Sequence, residues 1–252
     1  MAYLSEIGNA VRPLTNVARM AGLIEELKGR VFGAPGFGVF HGPPGYGKSF
    51  GAIFCADKMD VIHLVVQSEW SKSFFLQQLL HELGRSPKGT VPALVQAATQ
   101  ALALESRPLI IDEADYLVSK KLTGIVRDLH DGSQVPILLI GEEDLPQKLR
   151  RFTQLDSRIM SYAEALPADL KDTRELADIV TRAETSIDIS IDDEILEVVR
   201  ERHTGNARWI VKEIAHICKH AKRNAIGEVT LESWGGLEFM SDTAPVPRGG
   251  LK

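Results

Sequence analysis

The sequence predicts an α/β fold: a parallel sheet built around a glycine-rich phosphate loop, followed by a small helical domain. Three observations carry that prediction. Short apolar, β-branched runs alternate with helix-length stretches as far as residue 166, the pattern of a parallel sheet covered on both faces. "GPPGYGKS" at 42–49 fits G-x-x-x-x-G-K-[ST], with a strand before it and a helix after it. Beyond Pro167 the pattern is helical alone.

The elements follow in order. A helix is expected around "VARMAGLIEEL", then a loop, "GAPGFG". "FGVFHG" (37–42) is the first strand, and a helix from Lys48 to about Asp57 follows the glycine-rich turn. "DVIHLVVQ" (60–67) reads as a second buried strand, nearly all apolar. Helices at about 71–83 and 91–105 are separated by "GRSPKG". "PLIID" (108–112) is the third strand. A helix at about 119–130 leads to "VPILLIG" (135–141), the fourth, and "MSYAEAL" (160–166) is a candidate fifth. The helical part spans about 169–184, 191–203 and 206–224, with Ser190 and Asp193 as a capping box for the middle helix. The expected organisation is an N-terminal segment (1–35), a phosphate-loop α/β domain (36–166), a helical domain (167–240) and a flexible tail (241–252).

The chain has 252 residues, 44% hydrophobic and 25% charged, enough for a sizeable core. Its net charge is −5, so affinity for nucleic acid must come from local patches. Two distant cysteines, Cys55 and Cys218, exclude a disulfide framework and point to a reducing compartment. No basic start precedes a long apolar run, and no 18-residue apolar stretch occurs. The expectation is a cytoplasmic protein.

The phosphate loop carries the chemistry. Its glycines let backbone N–H groups close around phosphates, Lys48 gives a point charge to the β- and γ-phosphates, and Ser49 can ligate magnesium. "IIDEAD" then supplies the second element. Asp112, at a strand end, would hold the magnesium through water, and Glu113 would polarise the attacking water. Asp115 reads as a surface or capping residue. The letters DEAD do not make a helicase here, because such an enzyme needs two sheet domains with a cleft between them.

A phosphate loop, an acidic strand end and a helical lid together resemble the AAA+ ATPases. "HTGNARWIVKEI" (203–214) looks like the lid motif whose arginine, here Arg208, reaches the γ-phosphate. "KLRRFTQLDSRI" (148–159) looks like the segment of the arginine finger that acts on a neighbour's nucleotide, with Arg158 first and Arg151 second. Within AAA+, "RPLTNVARM" and "SEWSKSFF" look most like the DNA-transposition ATPases of the phage Mu B type, and more distantly like replication initiators and helicase loaders.

The resemblance implies ATP and Mg2+ as cofactors, bound by Gly42, Pro43, Pro44, Gly45, Tyr46, Gly47, Lys48, Ser49, Phe50 and Asp112, with Ser49 and Asp112 at the metal. It implies a homo-oligomer, a helical filament or ring, on duplex DNA that recruits or activates a transposase at the target. Lys72 and Ser73, then Lys120 and Lys121, are the DNA candidates, each weighed against a plain surface residue; Trp70 reads as core.

Two departures are visible. Members with an N-terminal helix-turn-helix region carry it ahead of the ATPase, so here the core itself is expected to bind DNA. After the fourth strand AAA+ proteins place a neutral polar residue, and this chain has "IGEED". Either Glu142 and Glu143 turn away from the nucleotide or hydrolysis is slow.

Three alternatives stand beside this reading. A helicase loader or an insertion-sequence helper belongs to the same class. A small-molecule P-loop kinase would act as a monomer without DNA. His216 and His220, at i and i+4, form a possible zinc pair with no third ligand in sight; a surface helix is the plainer reading.

Overall fold

The structure, a computed structural model, describes residues 14–31, 33–184, 189–235 and 239–240. The chain forms two compact units, one ending at Leu166 and the other starting at Pro167. The expected tail, 241–252, lies outside the described residues.

The first unit runs α1 (Thr15–Lys28), β1 (Phe37–His41), α2 (Lys48–Lys58), β2 (Ile62–Val65), α3 (Lys72–Glu82), α4 (Val91–Glu105), β3 (Leu109–Asp112), α5 (Asp115–Ser119), α6 (Thr123–Ser133), β4 (Ile137–Gly141), α7 (Leu145–Leu149), α8 (Thr153–Asp156) and β5 (Ile159–Glu164). The five strands are parallel in the order β2-β3-β4-β1-β5. All five therefore end at one edge of the sheet, where the phosphate loop and the acids meet.

Side chains alternate across the sheet because successive residues of a strand face opposite ways. Phe37, Val39, Leu64, Leu109, Ile111 and Leu139 share a core with residues of α3, α4 and α6. Phe40, Ile110, Leu138 and Ile140 face the other way, against Met20, Ile24, Ala52 and Cys55. Both faces of β3 and β4 are buried, which is why these strands read as unbroken apolar runs. Trp70 belongs to the first core and sets its ring edge-on to Phe74 and Phe75.

Asn16 locks α1 to the loop side of the sheet. Its amide nitrogen donates to the carbonyls of Tyr46 (2.9 Å) and Leu166 (2.7 Å), and its oxygen accepts the Leu166 N–H (2.8 Å).

The helix expected at 119–130 begins only at Thr123. The short α5 ends first, with Lys121 in the left-handed region (φ 57°). The Leu122 N–H returns to the Leu117 carbonyl (2.8 Å), a helix-terminating closure that stops one helix before the next can start.

The second unit comprises α9 (Leu170–Glu184), β6 (Ser190–Ile191), α10 (Asp193–Arg202), α11 (Ala207–Asn224), β7 (Glu228–Val229) and α12 (Leu231–Trp234). Its core includes Leu176, Val180, Ile195, Val199, Ile210, Ile214 and Ile217. The expected Ser190–Asp193 capping box does not form. Ser190 is held in β6 opposite Glu228, and Asp192 is the N-cap of α10. A capping box forms instead at Thr230 and Ser233. His216 and His220 both set their rings edge-on to Trp234, at 5.8 and 5.2 Å, and Cys218 is buried. The i, i+4 histidines therefore pack on an aromatic ring.

Candidate active site

The loop between β1 and α2 turns on glycines. Gly47, the N-cap of α2, lies at φ 78°, where a side chain would be strained. A Cβ on Gly42 would sit 2.9 Å from that of Ala165. Lys48 opens α2, and its ammonium donates to the loop carbonyls of Gly42 (2.5 Å) and Pro43 (2.8 Å). Burial lowers the Lys48 pKa below the usual lysine range, against the opposing pull of Asp112, Glu113, Glu142 and Asp115. The four acids that act on Lys48 come from the end of β3, the turn and helix start after it, and the residue after β4.

Asp112 ends β3 and is 3% exposed. Burial alone would push its pKa up. The His63 ring, the Ser49 hydroxyl and the Glu113 amide outweigh that and hold it below the ordinary range, so it is ionised. Its Oδ1 accepts the Glu113 N–H at 2.9 Å. Its Oδ2 is buried with no hydrogen-bond partner among the described residues. A buried carboxylate with a serine hydroxyl beside it is a donor set that suits a hard cation such as Mg2+.

Glu113 is exposed and takes φ 57°, a conformation that costs a non-glycine residue on the order of 1 kcal/mol. Partial shielding of its carboxyl from water first, then Asp112 and Asp115, raise its pKa; Lys48 opposes them and Glu142 adds to them. A carboxyl so tuned is a better proton acceptor than an ordinary glutamate.

Asp115 is an organising residue rather than a surface one. Its Oδ2 accepts the Glu142 N–H at 2.8 Å, and its Oδ1 takes the Lys148 ammonium at 2.7 Å. Lys148 also pairs with Asp144 at 2.8 Å. Asp115 thus ties the end of β3 to the segment after β4. Glu142 is the acid of "GEED" whose charge reaches both Lys48 and Glu113.

Residues 32–149 match the AAA domain family. The chain has the AAA+ fold. Among solved structures it is similar to Aeropyrum pernix ORC2 in its ADP form (TM-score 0.65, 17% identity, 90% of this chain and 70% of that one). It is similar to Pyrobaculum aerophilum Cdc6p (0.59, 13%, 88% and 67%). It is also similar to the Thermotoga maritima RuvB Holliday junction branch migration motor (0.52, 21%, 86% and 66%). No curated protein sequence matches the chain.

The other expected residues are placed as follows. Arg158 precedes β5 and its carbonyl accepts the Phe37 N–H (3.0 Å). That places it beside the start of β1, about 13 Å of strand from the loop at its end. Its guanidinium grips Asp131. Arg151 is exposed and lines a shallow pocket of about 260 Å³ with Arg127, Thr123 and Thr153.

Arg208 belongs to the second unit. It is exposed in the first turn of α11, whose N-cap Asn206 accepts the Trp209 N–H. Lys72 opens α3 on the surface, after the N-cap Ser71, and Ser73 is half-buried. Lys120 and Lys121 follow α5, half-buried and exposed.

His63 belongs to no motif of the sequence, yet it adjoins the site. It lies on β2, two residues before Val65, which stands opposite Asp112. Its Nε2 is 3.8 Å from Asp112 Oδ2. The available signal was a titratable residue inside an otherwise apolar strand.

Proposed function

We propose that this chain binds and hydrolyses ATP, and that nucleotide binding drives its assembly on duplex DNA to recruit or activate a transposase. The observation that carries the reading is the convergence of Lys48, Asp112 and Glu113 at one edge of the sheet, with the charges of both acids acting on Lys48. The loop amides and Lys48 bind the phosphates, and Ser49 with Asp112 would hold Mg2+. The metal, when bound, offsets negative charge on the phosphates. Glu113 accepts a proton from the attacking water. Arg208 and a neighbour's Arg158 supply positive charge to the γ-phosphate.

DNA contact is assigned to backbone phosphates through Lys72, Ser73, Lys120 and Lys121, so binding is sequence-tolerant and salt-sensitive. One similar structure, Aeropyrum pernix ORC1, is in complex with DNA (TM-score 0.56, 16% identity). The likeness to ORC and Cdc6 proteins also supports a second reading, a replication-initiator or helicase-loader ATPase.

Electron microscopy and sedimentation with and without ATP and duplex DNA test the proposal. Polymers should require both. A monomer under every condition would overturn the assembly reading. Assembly that stimulates a replicative helicase and no transposase would favour the second reading.

A further inference from the structure

The Asp112 carboxylate and the His63 imidazole meet inside the sheet edge. His63 Nε2 and Asp112 Oδ2 are 3.8 Å apart, with side chains 14% and 4% exposed. Both atoms are buried, and neither has a hydrogen-bond partner among the described residues. Nature rarely leaves a buried polar atom unpaired, because the desolvation costs about 1–3 kcal/mol. Here two such atoms lie 3.8 Å from each other. The backbone arranges this: β2 and β3 are parallel neighbours with Val65 opposite Asp112 and His63 opposite Ile110. His63 and Val65, two apart on a strand, point to the same face.

The opposite oxygen of Asp112 is already fixed by the Glu113 amide. A donor at Oδ2 would therefore complete the orientation of the carboxylate. We infer that His63 is a positioning residue for Asp112, its Nε2–H holding Oδ2 so that the carboxylate is presented to the metal-binding side of the site. The inference rests on the reading of Asp112 as the magnesium-holding acid. Groups of this kind, which touch a ligand and not the metal, are worth about 10–100-fold in metal affinity.

The test is nucleotide binding by the full chain, measured by calorimetry with ATP across a Mg2+ titration and again in EDTA. The variants are Asp112→Asn, His63→Leu, His63→Gln and His63→Asn. His63→Leu should raise the Mg2+ concentration for half-maximal enhancement about 10–100-fold, and leave affinity in EDTA as in the wild type. A glutamine amide nitrogen reaches the place of Nε2, so His63→Gln should recover most of the loss. An asparagine nitrogen reaches only the place of Nδ1, so His63→Asn should not.

A Mg2+ titration of His63→Leu that overlays the wild type would overturn the inference. So would equal recovery by glutamine and asparagine, which would mean that the ring only fills space. If His63→Leu does not fold, the glutamine–asparagine difference decides alone. If Asp112→Asn shows wild-type Mg2+ dependence, the reading of Asp112 is itself wrong, and the role of His63 falls with it. A failure of His63 alone leaves the Asp112→Asn defect intact.

Discussion

Arg158 grips Asp131 through one edge of its guanidinium, Nε to Oδ1 at 2.6 Å and Nη2 to Oδ2 at 2.8 Å. The pair is half-exposed, and exposed pairs contribute roughly 0.2–1 kcal/mol. A contact that weak can be exchanged for a stronger one, such as a neighbour's phosphate. Arg158 stands at the end of the sheet away from its own loop, so an action on nucleotide requires a second copy. Arg158→Ala should bind ATP nearly as the wild type does, yet fail to assemble or hydrolyse. Mixed with Glu113→Gln on DNA, it should recover part of the activity, because some interfaces then join a good pocket to a good finger. No recovery, with both proteins in one assembly, would mean that Arg158 does not act in trans.

Asp131→Asn tests the same pair from the other side. Removing the carboxylate leaves the guanidinium its bond to the Gln154 carbonyl and loosens it, so assembly with ATP and DNA should begin at a lower protein concentration, by about a few-fold. Sedimentation across a concentration series reads this. A higher threshold would show that Asp131 orients Arg158 for the interface.

The raised pKa of Glu113 sets the acid side of the pH–rate profile. As a proton acceptor Glu113 must be ionised, so kcat falls as pH drops through its folded pKa. That fall should lie above the ordinary glutamate value of about 4.3. Glu142→Gln removes a negative neighbour, lowers the Glu113 pKa and should move the fall to lower pH. It should also raise the plateau rate, by lifting a negative charge that acts on Lys48. An unmoved profile would mean that Glu142 does not act on Glu113.

Gly141 has room for nothing larger than hydrogen. A Cβ there would lie 2.3 Å from Asp115 Oδ2, the atom that accepts the Glu142 N–H. Gly141→Ala should therefore displace Asp115 and release the segment after β4. Losing bonds from a charged acceptor costs about 1.5–3 kcal/mol, read as a fall in denaturant midpoint. Asp115→Ala should match it within about 1 kcal/mol, because both break the same tie. Wild-type stability in both would show that the tie carries nothing.

Leu139 is fully buried in β4, with core on its face of the sheet. Leu139→Ala should cost about 2–5 kcal/mol, and a loss under 1 kcal/mol would contradict its central place.

The loop and the end of β3 were legible because their chemistry is local. Gly42 to Ser49 are adjacent in sequence, and an apolar run closing on Asp112 and Glu113 states its own geometry. His63 was not legible beside Asp112, because only the register of β2 on β3 brings the two together. Asn16 bonds to Leu166 across 150 positions, which no local pattern reports. The short helices α5, α7 and α8 have four or five residues, too few to show a 3.6-residue period. Ser190 had the right spacing for a cap, but pairing with β7 took its backbone first. For Arg158, the motif gave a candidate finger and the fold gave its resting partner, Asp131.

The central claim is that Glu113 acts on water while Lys48 and the loop hold the phosphates. Glu113→Gln keeps the side-chain size and the backbone demand at φ 57°, and removes only the proton-accepting charge. Binding and turnover of ATP in Mg2+ should be measured on this variant and the wild type together. ATP affinity should stay within about threefold, and hydrolysis should fall by about 10²–10⁴. Turnover at the wild-type rate would contradict the assignment.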